Sequence, residues 1–326
     1  MVETLERAVL CISPLNTSCQ WMPGTPKVIL IKSLLCCIAL LTVIFNLLVV
    51  ISISHFRQLH TPTNFLILSL AVSDLLVGVA VMPTAIVALQ SCWFLGKTTC
   101  AYFYLLSFIL TSASVGSMVL ISVDRYVAIC NPLLYSSMIT TSRVITALSL
   151  CWVCSVWYSF VILKDHFAQT RVSNSCHQEC ILNIHFISGA VDLMLTFFGP
   201  VAVIMVLYMR VFAVAVSHAR AMQSKIACVK FKAVAIKKSE LRAARSLGVV
   251  LLVFILCLFP YYCVSLAVQG NVGANSSAQI WLFYINSTFN PLIYAFFYPW
   301  FRRAVTLIVS LQILQPGSRN TKIVQT

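Results

Sequence analysis

Acidic residues are scarce in this chain: Asp and Glu number 8 among 326 residues, and charged residues of both signs make up only 9%. A soluble domain of this length is not sustained by so few charges. The histidines His55, His60, His166, His177, His185 and His218 are scattered over loops and helix ends, and neither HExxH nor GxSxG occurs. Their absence argues against the common metallohydrolase and serine-hydrolase constellations, and the chain does not read as an enzyme. No internal repeat or paired interrupted span is visible, which argues against an inverted-repeat transporter and for one membrane domain.

What is abundant is apolar. Hydrophobic residues make up 60% of the chain and the mean hydropathy is +0.95. Apolar stretches run over roughly 28–53, 65–90, 99–130, 144–163, 184–216, 243–268 and 278–298, each long enough to cross a bilayer. Without water in the bilayer core, helices satisfy that much backbone most simply, so the predicted fold is an all-α bundle of seven membrane helices. Residues 1–27 form an outer tail, 28–298 the membrane domain, and 299–326 a cytoplasmic amphipathic helix and tail.

Cationic residues gather on one side: Arg57, Arg125, Arg143, the run from Arg220 to Arg245, then Arg302, Arg303, Arg319 and Lys322. Arg7, Lys27, Lys32, Lys97, Lys164 and Arg171 fall on the other. The positive-inside rule places the amino terminus outside and the carboxyl terminus in the cytosol. The net charge of +14 thus reads as membrane orientation and attraction to anionic lipid rather than as nucleic-acid binding. The first 25 residues lack the apolar core of a cleaved signal peptide, so the first span is expected to drive insertion. The sequon at Asn16 lies in the outer tail, as a glycosylated terminus requires, and a second at Asn275 lies in a loop close to the membrane.

The segment Asn286-Ser-Thr-Phe-Asn290-Pro291-Leu-Ile-Tyr294-Ala-Phe-Phe-Tyr298-Pro-Trp300-Phe301 puts polar residues and a proline inside the last apolar run, where both are costly. It resembles the NPxxY signature of rhodopsin-like G-protein-coupled receptors. In its longer form, NSxxNPxxYxxxYxWF, it is similar to the fingerprint of their trace amine-associated subfamily. The resemblance implies a sodium-binding polar cluster of Asp74, Asn46, Asn286 and Asn290, with a sodium ion near Asp74 as an allosteric partner. It implies G-protein contact through Asp124-Arg125-Tyr126, with Glu240 as the acid that restrains Arg125. Tyr208 and Tyr294, beside Pro291, match the tyrosines that move toward Arg125 on activation.

The resemblance further implies a disulfide from Cys100 to Cys180 and a second, Cys19 to Cys176, in which Cys11 remains a competitor for Cys176. A light-sensing opsin would need lysine where Tyr284 stands. No cysteine follows residues 299–312, so that amphipathic segment has no palmitoyl site.

Three departures stand out. The sixth span carries Leu258-Phe259 before Pro260 where a tryptophan normally precedes the proline by two, leaving Phe259, Tyr261 or Tyr262 to take its part. Phe45 stands before Asn46 where glycine is usual. The amine-binding Asp of the third helix is replaced by Ser107, eighteen residues before Arg125. Asp192 on the fifth helix, eight residues before Pro200, is the acid left in the outer half of the membrane, a position acidic in some fish members of the subfamily. It reads either as the ligand counter-ion or as a buried structural acid. Tyr261, Tyr262, Trp281 and Tyr284 lie at comparable depth and form a candidate cage for a cation.

The implied function is a chemosensory receptor for volatile or trace amines, acting through a stimulatory G protein to raise cyclic AMP. The alternative is a receptor of the same fold for a non-amine small molecule. Both place the protein in the plasma membrane, in contact with lipid, with sensory-neuron cilia as one expected location.

Overall fold

The computed structural model describes residues 26–88, 93, 95–172, 180, 182, 185–223, 248–249, 252–263 and 277–323. Side chains at 165–166, 168–172, 215–223, 277–279 and 295–296 lie outside that description. Asn16, Cys11, Cys19, Cys176, Glu240 and Asn275 lie outside the described residues altogether.

Every span of the bundle is helical. The first runs Pro26–His55, the second Pro62–Ala88, the third Gly96–Cys130 and the fourth Thr141–Val172. The fifth is built from Phe186–Leu193, Met194–Phe198 and Gly199–Gln223. Leu252–Cys263 represents the sixth and Ser277–Phe297 the seventh. The first five are each long and apolar enough to cross a membrane by themselves. Their outer faces are unusually apolar: Leu30 and Trp157 are each 70% exposed, and Met209 and Phe212 each 64%. Water would not tolerate such a belt, whereas lipid does.

Two spans contain a wider, π-type turn, Val77–Val81 in the second and Met194–Phe198 in the fifth. Such turns rotate the following residues relative to a regular helix and are frequent at functional sites. The first lies just past Asp74 and the second just past Asp192. Helix contacts depend on small residues: a Cβ at Gly116 would sit 2.3 Å from Cys151 Sγ, so the third and fourth spans approach this closely only with glycine there.

The seventh span ends where Tyr298, preceding Pro299, adopts an extended conformation (φ −110°, ψ 104°). The residue before a proline is pushed out of the α region, and the chain turns by 95° into Pro299–Val309. That short helix carries Arg302 and Arg303 exposed and Phe301 and Ala304 buried, the pattern of a helix lying along a membrane surface.

The chain beyond Val309 was not anticipated from the sequence. Leu311 (φ 58°) and Gly317 (φ 83°) take left-handed conformations that fold the tail back. Ile323 ends 2% exposed against Phe56, Leu59 and Ala304, the first two belonging to the inner turn between the first and second spans. Its backbone N–H donates to Gln58 Oε1 at 2.8 Å, and Ser318 Oγ lies 3.0 Å from His55 Nε2. Truncation after Ser310 is expected to lower the melting temperature of the detergent-solubilised protein by about 5 °C, since burying isoleucine contributes about 1.5–3 kcal/mol. An unchanged thermal melt would mean that this strap does not stabilise the bundle.

Candidate functional site

At the outer end, Cys100 is bonded to Cys180 with Cα atoms 5.6 Å apart. The hydroxyl of Tyr104, one turn further along the third span, donates to the Cys180 carbonyl at 3.1 Å. The disulfide and this hydrogen bond together hold Cys180 against the third span. Ser107, buried one turn deeper, donates its single proton to the Phe103 carbonyl at 2.7 Å, with Tyr284 beside it. Trp281 meets Tyr284 edge-on with centroids 6.0 Å apart, and Phe283 continues the ring path to Tyr261 at 5.2 Å.

Asp192 lies across from this cluster. Its Oδ1 accepts from the Tyr158 hydroxyl of the fourth span at 2.5 Å. Tyr261 and Tyr262 are both within electrostatic range of its carboxylate. Of the proposed cage, Tyr261 and Tyr262 therefore stand on the Asp192 side, while Trp281 and Tyr284 gather around Ser107. Tyr158 was missed in the sequence because no motif carries it. Its one signal was a phenol hydroxyl inside an apolar run, where such a group needs a partner.

Below the pocket, Leu258 is 2% exposed and offers no ring. Phe259 is 50% exposed, with its ring 6.2 Å from that of Phe197. Tyr262 is the buried ring on the inner face. It packs on Phe197 with centroids 5.1 Å apart, and its hydroxyl lies 2.6 Å from Thr196 Oγ1.

Asp74 is fully buried at mid-membrane. Asn290 donates to its Oδ2 at 2.8 Å, Ser114 reaches Oδ1 at 3.5 Å, and the Ser287 hydroxyl adds a further hydrogen bond. Asn46 belongs to the same layer but turns elsewhere, donating to the Thr42 and Ser287 carbonyls at 2.9 and 3.0 Å. Asn286 lines a cavity of about 20 Å³ with Ser114, Ser287, Leu258 and Tyr284. The amide oxygens of Asn46, Asn286 and Asn290 and the hydroxyl of Tyr294 are buried without a protein partner. The cavity is mostly apolar and of the unmatched groups only Asn286 lines it, while buried oxygens without a protein partner are the kind that water or an ion satisfies. Ser114 and Ser287 were absent from the sequence-derived cluster, since serines are too common in membrane helices to stand out.

At the opposite end of the third span, Asp124 is 1% exposed and collects four donations: two from Arg125, through Nε at 2.9 Å and through Nη2, one from Thr63 Oγ1 at 3.0 Å and one from Tyr135 Oη at 2.9 Å. Arg125 Nη2 also donates to Thr63. Arg125 is thus clasped within its own triplet, with Thr63 from the second span and Tyr135 from the short helix Pro132–Met138 completing the clasp. Burial, and the Asp124 carboxylate beside it, hold the Tyr135 phenol above its ordinary pKa, so it remains a proton donor. Tyr126 is half-buried beside this group. Tyr298 is within electrostatic range of Arg125, whereas Tyr294 lies toward Asp74 with its ring 6.0 Å from that of Tyr298. Tyr208 packs beside Gly248 of the sixth span.

A bundle of membrane helices with Cys180 fastened to the third span at one end, a buried aspartate layer and a clasped arginine at the other end is the arrangement of a rhodopsin-type receptor. The profile of the seven-transmembrane receptors of the rhodopsin family matches residues 45–294. Trace amine-associated receptor 13c of Danio rerio is 35% identical to this chain over 96% of the chain and 95% of its own length. Trace amine-associated receptor 4 of Mus musculus is 33% identical over 96% and 94%, and trace amine-associated receptor 2 of Homo sapiens 36% identical over 86% and 82%. The chain belongs to the trace amine-associated receptors, a multi-pass membrane family with a small-molecule ligand and a G-protein partner.

Proposed function

We propose that this receptor detects a small monoamine whose ammonium pairs with Asp192 and that it raises cyclic AMP through a stimulatory G protein. The observation that carries this reading is the direction of the two candidate positions. Ser107 is uncharged and donates its proton to the Phe103 carbonyl, whereas Asp192 is a carboxylate tied to Tyr158 with Tyr261 and Tyr262 nearby. An ammonium placed there gains a charge partner and aromatic faces, each worth about 0.5–2 kcal/mol when desolvated. One acid serves one ammonium, so diamines gain nothing from their second charge.

The names of the relatives, trace amine-associated receptors, support the ligand class. The cationic inner face supports an extracellular amino terminus in the plasma membrane, and sensory cilia fit a chemosensory role. Glycosylation at Asn16 and a Cys19–Cys176 bond belong to the same reading. A sodium ion suits the Asp74 layer, where the carboxylate, Ser114 and the unmatched amide oxygens of Asn286 and Asn290 form a hard oxygen donor set. Such an ion would favour the arrangement in which that layer stays compact.

A panel of aliphatic and aromatic monoamines, diamines and neutral analogues of equal size, assayed by cyclic AMP in transfected cells, tests the reading. Responses confined to monoamines are expected. A response to the neutral analogues at equal potency would favour the non-amine alternative, for which Ser107 in place of an acid is the supporting feature.

A further inference from the structure

We propose that Tyr262, linked through Thr196 to the backbone of Asp192, is the sixth-helix lever of this receptor and holds it in the resting arrangement. The proposal rests on the reading of Asp192 as the ligand site and adds the route by which that site reaches the sixth span.

Leu258 is buried at the position where a ring would be expected, and an aliphatic side chain there has neither a hydrogen bond nor a flat face. One turn outward on the same helix face, Tyr262 has both. Its ring lies 5.1 Å from Phe197, which in turn stacks on Phe254 at 6.5 Å with planes 26° apart. A column of three rings therefore runs inward along the contact between the fifth and sixth spans.

The hydrogen bonds settle direction. Thr196 has one hydroxyl proton and donates it to the Asp192 carbonyl at 2.6 Å. Its oxygen therefore accepts from the Tyr262 hydroxyl, also at 2.6 Å. Thr196 sits on the wide turn Met194–Phe198, immediately after Asp192, and is 4% exposed. The chain Tyr158–Asp192–Thr196–Tyr262 crosses the fourth, fifth and sixth spans through a single residue that carries the proposed counter-ion.

The same structure has Arg125 clasped by Asp124 and Thr63 at the opposite end of the bundle, so the Thr196–Tyr262 bond belongs to the closed arrangement. A ligand that draws Asp192 shifts the turn carrying Thr196 and loosens the bond to Tyr262. The sixth span is then released from the fifth. A change at the pocket biases a two-state equilibrium in this way without any contact between ligand and Tyr262.

Ligand-free coupling of the full-length receptor is the measurement, read with a panel of G-protein α-subunit biosensors at matched surface expression. Tyr262→Phe removes the bond to Thr196 alone, Thr196→Val removes that bond together with the one to the Asp192 carbonyl, both keep shape, and each is expected to raise basal coupling about threefold to tenfold. The double variant is expected to match Thr196→Val, since the bond that Tyr262→Phe deletes is already gone there. Thr196→Ser keeps the hydroxyl and is expected to stay at the wild-type level, which a purely steric role for Thr196 would not give. Unchanged basal coupling in both single variants, multiplied effects in the double, or elevated coupling in Thr196→Ser would each overturn the proposal. Should Tyr262→Phe fail to reach the surface, Thr196→Val and Thr196→Ser carry the test between them. No amine enters this assay, so its failure is separate from that of the counter-ion reading, which depends on amine potency at Asp192.

Discussion

Replacing Asp192 with Asn is expected to reduce amine potency by about two to three orders of magnitude while surface expression is retained. Asparagine keeps an oxygen able to accept from the Tyr158 hydroxyl, so the tie between the fourth and fifth spans survives. The charge alone is lost. Removing one partner of a desolvated ion pair costs about 3–5 kcal/mol, and each 1.4 kcal/mol is tenfold in affinity. Maximal response at saturating amine should remain, because the substitution weakens binding rather than coupling. Ser107→Asp in the Asp192→Asn background restores a carboxylate on the third helix and is expected to recover part of the potency. A surface-expressed Asp192→Asn receptor that answers monoamines at wild-type concentrations would end the counter-ion reading and turn the search to neutral or acidic ligands.

Loss of the clasped guanidinium is the second large effect. Arg125→Ala is expected to abolish G-protein signalling at every ligand concentration, with the receptor still at the surface. The expectation comes from what holds Arg125: Asp124, Thr63 and Tyr135 form a fully hydrogen-bonded group that shields the arginine in the closed arrangement. Asp124→Asn removes the charge and is expected to raise ligand-free signalling several-fold, since the guanidinium is then freed more readily. Glu240→Ala is expected to act in the same direction, on the proposal drawn from the resemblance that Glu240 is a second acid restraining Arg125. Basal activity measured at matched expression checks all three. Retained signalling in Arg125→Ala would remove this residue from the coupling machinery, and unchanged basal activity in Asp124→Asn would mean that the clasp does not set the resting state.

The general plan was readable before any coordinates because it depends on local composition. A helix must carry about twenty apolar residues to cross lipid, so the spans announced themselves by length. Asp74, Asn290 and Arg125 were legible for the related reason that polar groups at that depth are costly and therefore rare. Tyr158 was not legible in this way. Its hydroxyl matters through a bond to a residue thirty-four positions away, and nothing in the fourth span indicates which way it faces. Thr63 and Tyr135 belong with it: each is ordinary in sequence and becomes specific only when the second span and the short inner helix bring them to Asp124.

The sequence by itself determined the number and apolar character of the spans, the charged inner face, the absence of an acid at Ser107 and the survival of one at Asp192. Those properties follow from solvation, which acts residue by residue. Tertiary structure alone decided which polar groups meet. It set Asn46 on the Ser287 carbonyl rather than on Asp74, left Phe259 exposed and Tyr262 buried, and folded Ile323 back onto Phe56 and Leu59. These outcomes depend on how each helix is rotated and on the packing of distant segments, which are properties of the assembled bundle.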